Sequence, residues 1–320
     1  MHLQVTHETR YDYLPPVEVA QHMAYLQPWS TSVQEVLSHA LRIEPRPAQQ
    51  TAAADVYGNR RTFISLQAPH ARLRVIASST VRTQQRPMPD SHTAWEQVRE
   101  RFRYRADAAY DPGAEFVFPS QHVPRQAEFA AYARPSFAPG ASLFEAARDL
   151  MHRIHADFTY DSQSTQINTP ALEALNQRKG VCQDFAHIMI ACLRSMGLAA
   201  RYVSGYLLTE PAPGAERLVG SDASHAWVSV LLPDLPGDAR WCDFDPTNDR
   251  WGWGLPGEDY VLLAFGRDYA DVSPIRGVIH GGASHQLTVA VTVTRLDPDA
   301  PAVSAQSRQG RSQSQSQSQS

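Results

Sequence analysis

Hydrophobic and polar positions alternate near both ends of the chain and recur every three or four residues between them. Leu3, Val5 and His7 alternate with polar neighbours, and so do Leu73, Val75 and Ala77, the period of strands with one buried face. Asp55-Val56-Tyr57-Gly58-Asn59 reads as a tight turn feeding a strand from Arg60 to Ile64, because Gly and Asn supply positive φ at low cost. With Pro15, Pro16, Pro28, Pro45 and Pro47 as punctuation, residues 1–85 predict a small antiparallel sheet or sandwich. Trp95, Val98 and Phe102 suggest a short helix. The stretch from Ala106 to Gly140, with Pro112, Pro119, Pro124, Pro135 and Pro139, is long for a loop and is expected to wrap over another domain.

The period changes at Ser142. Ser142-Leu143-Phe144-Glu145 has the capping-box pattern, and Leu143, Ala147, Leu150, Met151, Ile154 and Phe158 then line one helical face. Thr169-Pro170 suits the N-cap and first position of a second helix through Leu172 and Leu175. A third helix is predicted from about Cys182 to Met196, between Gly180 and Gly197, with Phe185, Met189, Leu193 and Met196 as its buried stripe. Period two then returns in Arg201–Tyr206, His225–Val230 and Trp241–Asp245. Helices followed by strands predict an α+β unit, helices packed on an antiparallel sheet, over residues 141–270, after a connecting region at 86–140. Leu287–Thr294 predicts a closing strand within 271–296, and the Gln/Ser-rich segment 297–320 is too poor in apolar residues to be expected to fold.

Composition narrows the function classes. The 320 residues are 42% hydrophobic and 19% charged, ordinary for a folded chain of about two domains. Lys and Arg number 29 against 33 Asp and Glu, a net charge of -4, so no basic excess points to nucleic acid. No apolar run suits a membrane span, and the first residues have neither the basic nor the apolar region of a secretory signal. Three cysteines, an odd number, argue against a disulfide framework and for reduced thiols in the cytoplasm. The sequence does not specify an oligomeric state.

One of those cysteines is placed for chemistry. Cys182 follows Gly180 at a predicted helix start, where free N–H groups and the positive dipole end favour thiolate over thiol. Such a nucleophile needs a base, and the base needs a group to orient it. His187 lies about 140° around the helix from Cys182 and reads as a packing residue. His152 and His155 are spaced i, i+3 on a helix, but no further ligands converge, so no metal or other cofactor is expected. His225 heads one strand and Asp245 ends the next, an arrangement that can bring ring and carboxylate together before the helix end. Asp243 shares the face of Asp245 by alternation, so spacing alone leaves both open. Cys192 and Cys242 read as core residues. Asp184 reads as a helix-dipole carboxylate, Tyr160 as a hydrogen-bond donor near the site or, more simply, a buried tyrosine beside it, Gln183 as a neighbour of the nucleophile, and Trp227 and Trp241 as core beside it. Trp251 and Trp253 fit either a substrate groove or a hydrophobic plug. The backbone N–H of Cys182 is the expected first oxyanion donor; a second is not evident.

Gly180-Val181-Cys182-Gln183-Asp184-Phe185-Ala186-His187, Ala223-Ser224-His225-Ala226-Trp227 and Phe244-Asp245-Pro246-Thr247 resemble, in order and spacing, the three blocks of the transglutaminase-like superfamily. Phe158-Thr159-Tyr160-Asp161 and Ser164-Thr165 resemble the segment that precedes the nucleophile in bacterial members. Residues 1–85 resemble their N-terminal β domain, and Gly266–Pro274 their C-terminal signature. The resemblance implies a papain-like core preceded by a β-sandwich-like domain. It also implies a triad of Cys182 as nucleophile, His225 as general base and acid, and Asp245, the Asp before Pro-Thr, as orienting carboxylate.

The implied activity is cleavage or transfer of an acyl group from a glutamine or peptide amide through a Cys thioester. Water as acceptor makes a peptidase or amidase, and an amine makes a transglutaminase-type acyltransferase; the resemblance weights them about equally. A catalytically silent binding module of the same fold is the alternative, and it predicts loss of a triad residue. The implied partner is a protein or peptide amide substrate, with no nucleic acid and no membrane.

Overall fold

The alternation at the N-terminus folds into one long strand that organises a whole sheet. In a computed structural model, described here for all residues except 88, 104, 108, 162–163, 165–168, 210–223, 236–239, 283 and 297–320, strand β1 runs His2–Ala24. The Gln/Ser-rich segment therefore lies outside the described residues, as do Thr165 and Ala223. β2 (Gln34–Glu44), β3 (Gln49–Ala54), β4 (Arg60–Leu66) and β5 (His70–Thr83) follow in the order β2-β5-β1-β4-β3. Along its first half β1 pairs with β5; beyond Asp12 the register breaks, and from Ala20 its partner is β4. Pro15 and Pro16 lie at this break, where their missing N–H groups could not continue a ladder. The two halves enclose a sandwich-like core that includes Val17, Ala20, Ile43, Ile64, Leu73 and Val75.

The connecting region is more ordered than a wrap. It contains α1 (Trp95–Arg101) and α2 (Ala127–Ala133), whose Trp95, Val98, Phe129 and Tyr132 are buried in the main core. α3 (Leu143–Asp157) begins as its pattern predicts, with the Ser142 side chain accepting from the Glu145 N–H at 3.2 Å. β6 (Thr159–Tyr160), α4 (Ala171–Gln177) and β7 (Lys179–Gly180) lead to α5 (Cys182–Ser195). Pro170 occupies the N-cap of α4, one position earlier in the cap than the Thr169-Pro170 reading placed it. α5 is buried on every side from Asp184 to Arg194, as expected of a helix that is apolar almost all round.

β8 (Ala200–Leu207), β9 (Ser224–Leu231), β10 (Trp241–Asp245), β11 (Arg250–Trp253) and β12 (Tyr260–Gly266) form an antiparallel sheet in the order β11-β10-β9-β8-β12. Ala226, Val228 and Val230 pack with α5 in one cluster, while Trp227 belongs to another with Val203, Tyr260 and Leu262. α6 (Tyr269–Val272) then leads to β13 (Ile275–Gly281) and β14 (Ser284–Arg295). These do not close the core sheet: both run antiparallel along β1. The two sheets meet where Leu3, Val5, Val291 and Val293 pack on Tyr206, Val261 and Leu263. Asn59, buried in the predicted tight turn, donates to the Phe265 carbonyl (2.7 Å) and accepts from its N–H (3.0 Å), tying the turn to β12.

Candidate active site

The parallel pair β6 and β7 sets the approach to the cysteine, with Tyr160 opposite Gly180 in register. Asp184 folds its carboxylate back to accept the Val181 N–H at 2.8 Å and so caps the helix that Cys182 begins. That fold needs glycine at 180, because a Cβ there would lie 2.7 Å from the Asp184 side chain. Cys182 is partly exposed, in a cavity of about 330 Å³ that His225 also lines.

His225 Nε2 lies 2.7 Å from Asp245 Oδ2. An ionised carboxylate only accepts, so Nε2 carries the hydrogen and Nδ1 is the ring atom left for the Cys182 sulfur. Burial pushes His225 down, yet the charge and hydrogen bond of Asp245, and its interaction with Cys182, raise it to about 10. Asp245 is fully buried and held from several directions. Its Oδ2 also accepts from the Asn248 amide (2.7 Å) and the Tyr260 hydroxyl (2.7 Å), and its Oδ1 from the Thr247 N–H (2.9 Å). Burial would raise this carboxyl, but His225 and the donated hydrogen bonds outweigh it, and it is held below the usual range.

Asp243 answers the question that spacing left open. It shares the face but turns away from His225, accepting instead from Trp227 Nε1 (3.1 Å) and the Ser229 hydroxyl. Burial lifts its carboxyl to about 6. Trp227 is fully buried, its ring 6.1 Å from that of His225 and edge-on to Tyr260 at 5.5 Å. It can lie there because Gly205, opposite His225 on β8, has no Cβ; one would meet the Trp227 ring at 2.4 Å and the Val261 carbonyl at 2.2 Å.

The remaining expectations separate cleanly. His187 is buried, accepts from the Tyr269 N–H at 3.2 Å and stacks on His122, the packing role read for it; burial lowers it to about 3. His152 bonds Asp249 and His155 bonds the Thr247 carbonyl, so both tie α3 to the turn after Asp245. Cys192 and Cys242 are buried and burial raises both thiols. Trp251 packs edge-on against Phe144, whereas Trp253 lines a separate cavity. Gln183 lines the cysteine cavity. Tyr160 lines the cysteine cavity, but it is 55% exposed there and is not a buried tyrosine.

Three participants were not singled out from sequence. Tyr260 and Asn248 hold Asp245, and Tyr202, on β8, lines the cavity with its hydroxyl hydrogen-bonded to nothing among the described residues. The opposite wall comes from both ends of the chain: Thr9 and Tyr11 of β1, Leu287 and Val289 of β14. His7 lies there too, bonded to Tyr206 and Thr9; burial lowers it to about 4, so it is neutral at pH 7.

Residues 3–82 match the bacterial transglutaminase-like N-terminal region, and residues 130–246 match the transglutaminase-like superfamily core. The chain is 40% identical over 304 residues to the uncharacterized protein Rv2569c of Mycobacterium tuberculosis, covering 93% of this chain and 94% of that one. The chain belongs to the transglutaminase-like superfamily. Within that superfamily it is also 28% identical over 186 residues to a protein-glutamine gamma-glutamyltransferase of Pseudomonas aeruginosa, covering 53% of this chain and 27% of the relative. The fold matches a crystal structure of a candidate cysteine protease from Cytophaga hutchinsonii with a TM-score of 0.70 and 21% identity, over 94% of this chain and 92% of that one. Among the described residues, no helix is long and apolar enough to cross a membrane.

Proposed function

We propose that this protein is a cysteine-dependent enzyme that takes an acyl group from an amide, with Cys182, His225 and Asp245 as its triad. The observation that carries the reading is the 2.7 Å bond between His225 and a buried Asp245, in a ring that shares a cavity with a cysteine at a helix start. Cys182 Sγ attacks the amide carbonyl, and the oxyanion is met by the Cys182 N–H at the start of α5 and by the Tyr202 hydroxyl. The C–N bond breaks as His225 Nδ1 gives its proton to the departing nitrogen, leaving a thioester. His225 then takes a proton from water or from an amine as it attacks, and the thiol is regenerated. Asp245 keeps the ring oriented and its charge matched throughout. The side chains themselves handle every proton, so the scheme requires no cofactor.

The substrate in this reading is a glutamine side chain or peptide amide on a protein or peptide. Beside His225 the cavity walls are aromatic, aliphatic, hydroxyl and amide groups with a neutral His7, and among the described residues no carboxylate, lysine or arginine lines it. That suits an uncharged acyl donor. The family supports both acceptors, and the relative named a gamma-glutamyltransferase supports a glutamine donor. A cytoplasmic location belongs to the same proposal, in keeping with three free thiols.

Ammonia release from a glutamine peptide, measured with and without a primary amine, tests the proposal. Release that is lost in Cys182→Ala and His225→Ala is the expected result; amine incorporation marks transfer, and its absence marks hydrolysis. Release unchanged in Cys182→Ala would overturn the assignment.

A further inference from the structure

A second cavity is larger than the one at the cysteine. A space of about 780 Å³ opens between the connection from β1 to β2 and the far end of the core sheet, and it shares no lining residue with the Cys182 cavity. Trp29, Trp253 and Phe265 wall it, Arg86 stands over Trp253 at its rim, and Arg201 and Asp243 reach it from β8 and β10.

Arg201 is the unusual member. Its guanidinium lies between two rings, 4.1 Å from Trp241 and 3.7 Å from Phe265. Its Nε is buried with no hydrogen-bond partner, and none of its N–H groups bonds an acceptor among the described residues. Burial lowers it to about 10, and Asp243 is near enough to act on its charge without forming an ion pair. Asp243 is already committed to Trp227 and Ser229. A guanidinium fixed between rings, with its planar fork unmet and a cavity beside it, is arranged to receive a planar anion. Ring faces hold its cationic plane in place but leave the N–H edge unsatisfied.

We propose that this cavity is a second binding site, for a small carboxylate with an apolar or aromatic body. Arg201 takes the carboxylate, and Trp29, Trp253 and Phe265 enclose the body. The buried Asp243 on the same floor selects against doubly charged phosphates, since a second negative charge there would face a carboxylate in a poorly solvated space. An amine is disfavoured by Arg201 itself.

Calorimetric titration of the full chain with 3-phenylpropionate, 3-phenylpropan-1-ol and 3-phenylpropylamine tests this. The acid is expected to bind at least about tenfold more tightly than the alcohol, and the amine more weakly than either. Alkylating Cys182 with iodoacetamide is expected to leave the acid's affinity unchanged. Arg201→Gln is expected to remove the acid's advantage while the alcohol still binds; should that variant not fold, the three-ligand comparison on the wild type decides. Equal binding of acid and amine, no binding of the acid, or loss of binding on alkylation would each overturn the proposal. The last outcome would place the ligand at the cysteine, and it bears on this site without touching the triad assignment.

Discussion

Replacing Asp245 by Asn removes a charge while keeping the shape, and its effect can be worked from the site. The carboxylate is the main reason that His225, which burial alone would push below 6.5, stands at about 10. A rise from 6.5 to about 10 is more than three pK units, and at 1.36 kcal/mol per unit it corresponds to about 5 kcal/mol favouring the imidazolium. The Asn oxygen can still accept the Nε2 hydrogen, so part of the orientation survives. A loss of about 4 kcal/mol, roughly 10³-fold in kcat/KM at pH 7, is expected. The assay is alkylation of Cys182 by iodoacetamide, followed by intact mass between pH 5 and 9. In the wild type, alkylation at pH 7 is expected to be fast, because the raised His225 stands beside the sulfur. In Asp245→Asn the rate at pH 7 falls. A folded Asp245→Asn protein that alkylates at the wild-type rate would refute the reasoning. The same pair also sets a stability window. Between pH 6.5 and about 10 the folded chain holds a proton that the unfolded chain has released. This contribution is therefore full below pH 6.5 and lost as pH rises through about 10, and thermal melts of Asp245→Asn should lack that alkaline slope.

Three other outcomes follow from the same geometry. His7, His22 and His187 are lowered by burial to about 4, 4 and 3, so on acidification the unfolded chain takes up their protons first. Stability should fall as pH drops from 6.5 toward 4, by up to about 1.4 kcal/mol per pH unit for each histidine, and His22→Leu should flatten denaturant midpoints plotted against pH by one proton. Gly205→Ala should lower the melting temperature sharply, since its Cβ would sit 2.2 Å from the Val261 carbonyl, which is backbone and cannot swing aside; a melt within a degree of wild type would contradict the packing. Tyr202→Phe should cut kcat by about 10²-fold with little change in the Cys182 alkylation profile, as for loss of an oxyanion donor without loss of the ion pair.

Cys182 and His225 stand out in the sequence by local pattern, a glycine before a helix start and the head of a strand, whereas only the family resemblance of Asp-Pro-Thr separates Asp245 from Asp243. Tyr260 and Tyr202 do not stand out, since an aromatic residue in a strand carries the same signal whether its hydroxyl meets solvent, a carboxylate or a reacting atom. Tyr260 on edge strand β12 reaches Asp245 on β10 although β9 and β8 lie between them in the sheet order. Arg201 was hidden for a related reason: a cation at a polar position of an alternating strand reads as a solvent residue, and only the rings of Trp241 and Phe265 reveal its burial.

Strand pairing was the larger gap. The alternation in Leu287–Thr294 marks a strand but carries no information about its partner, which is the opposite end of the chain: Val291 lies against His7 and Val289 against Thr9. That pairing changes what the β domain is for. Its strands β1 and β14 together supply Thr9, Tyr11, Leu287 and Val289 to the cavity that holds Cys182. In the proposed reaction the α+β core supplies the nucleophile, ring and carboxylate, and β1 and β14 supply part of the wall beside them. In that proposal, specificity rests on these wall residues as well as on the blocks around Cys182, His225 and Asp245.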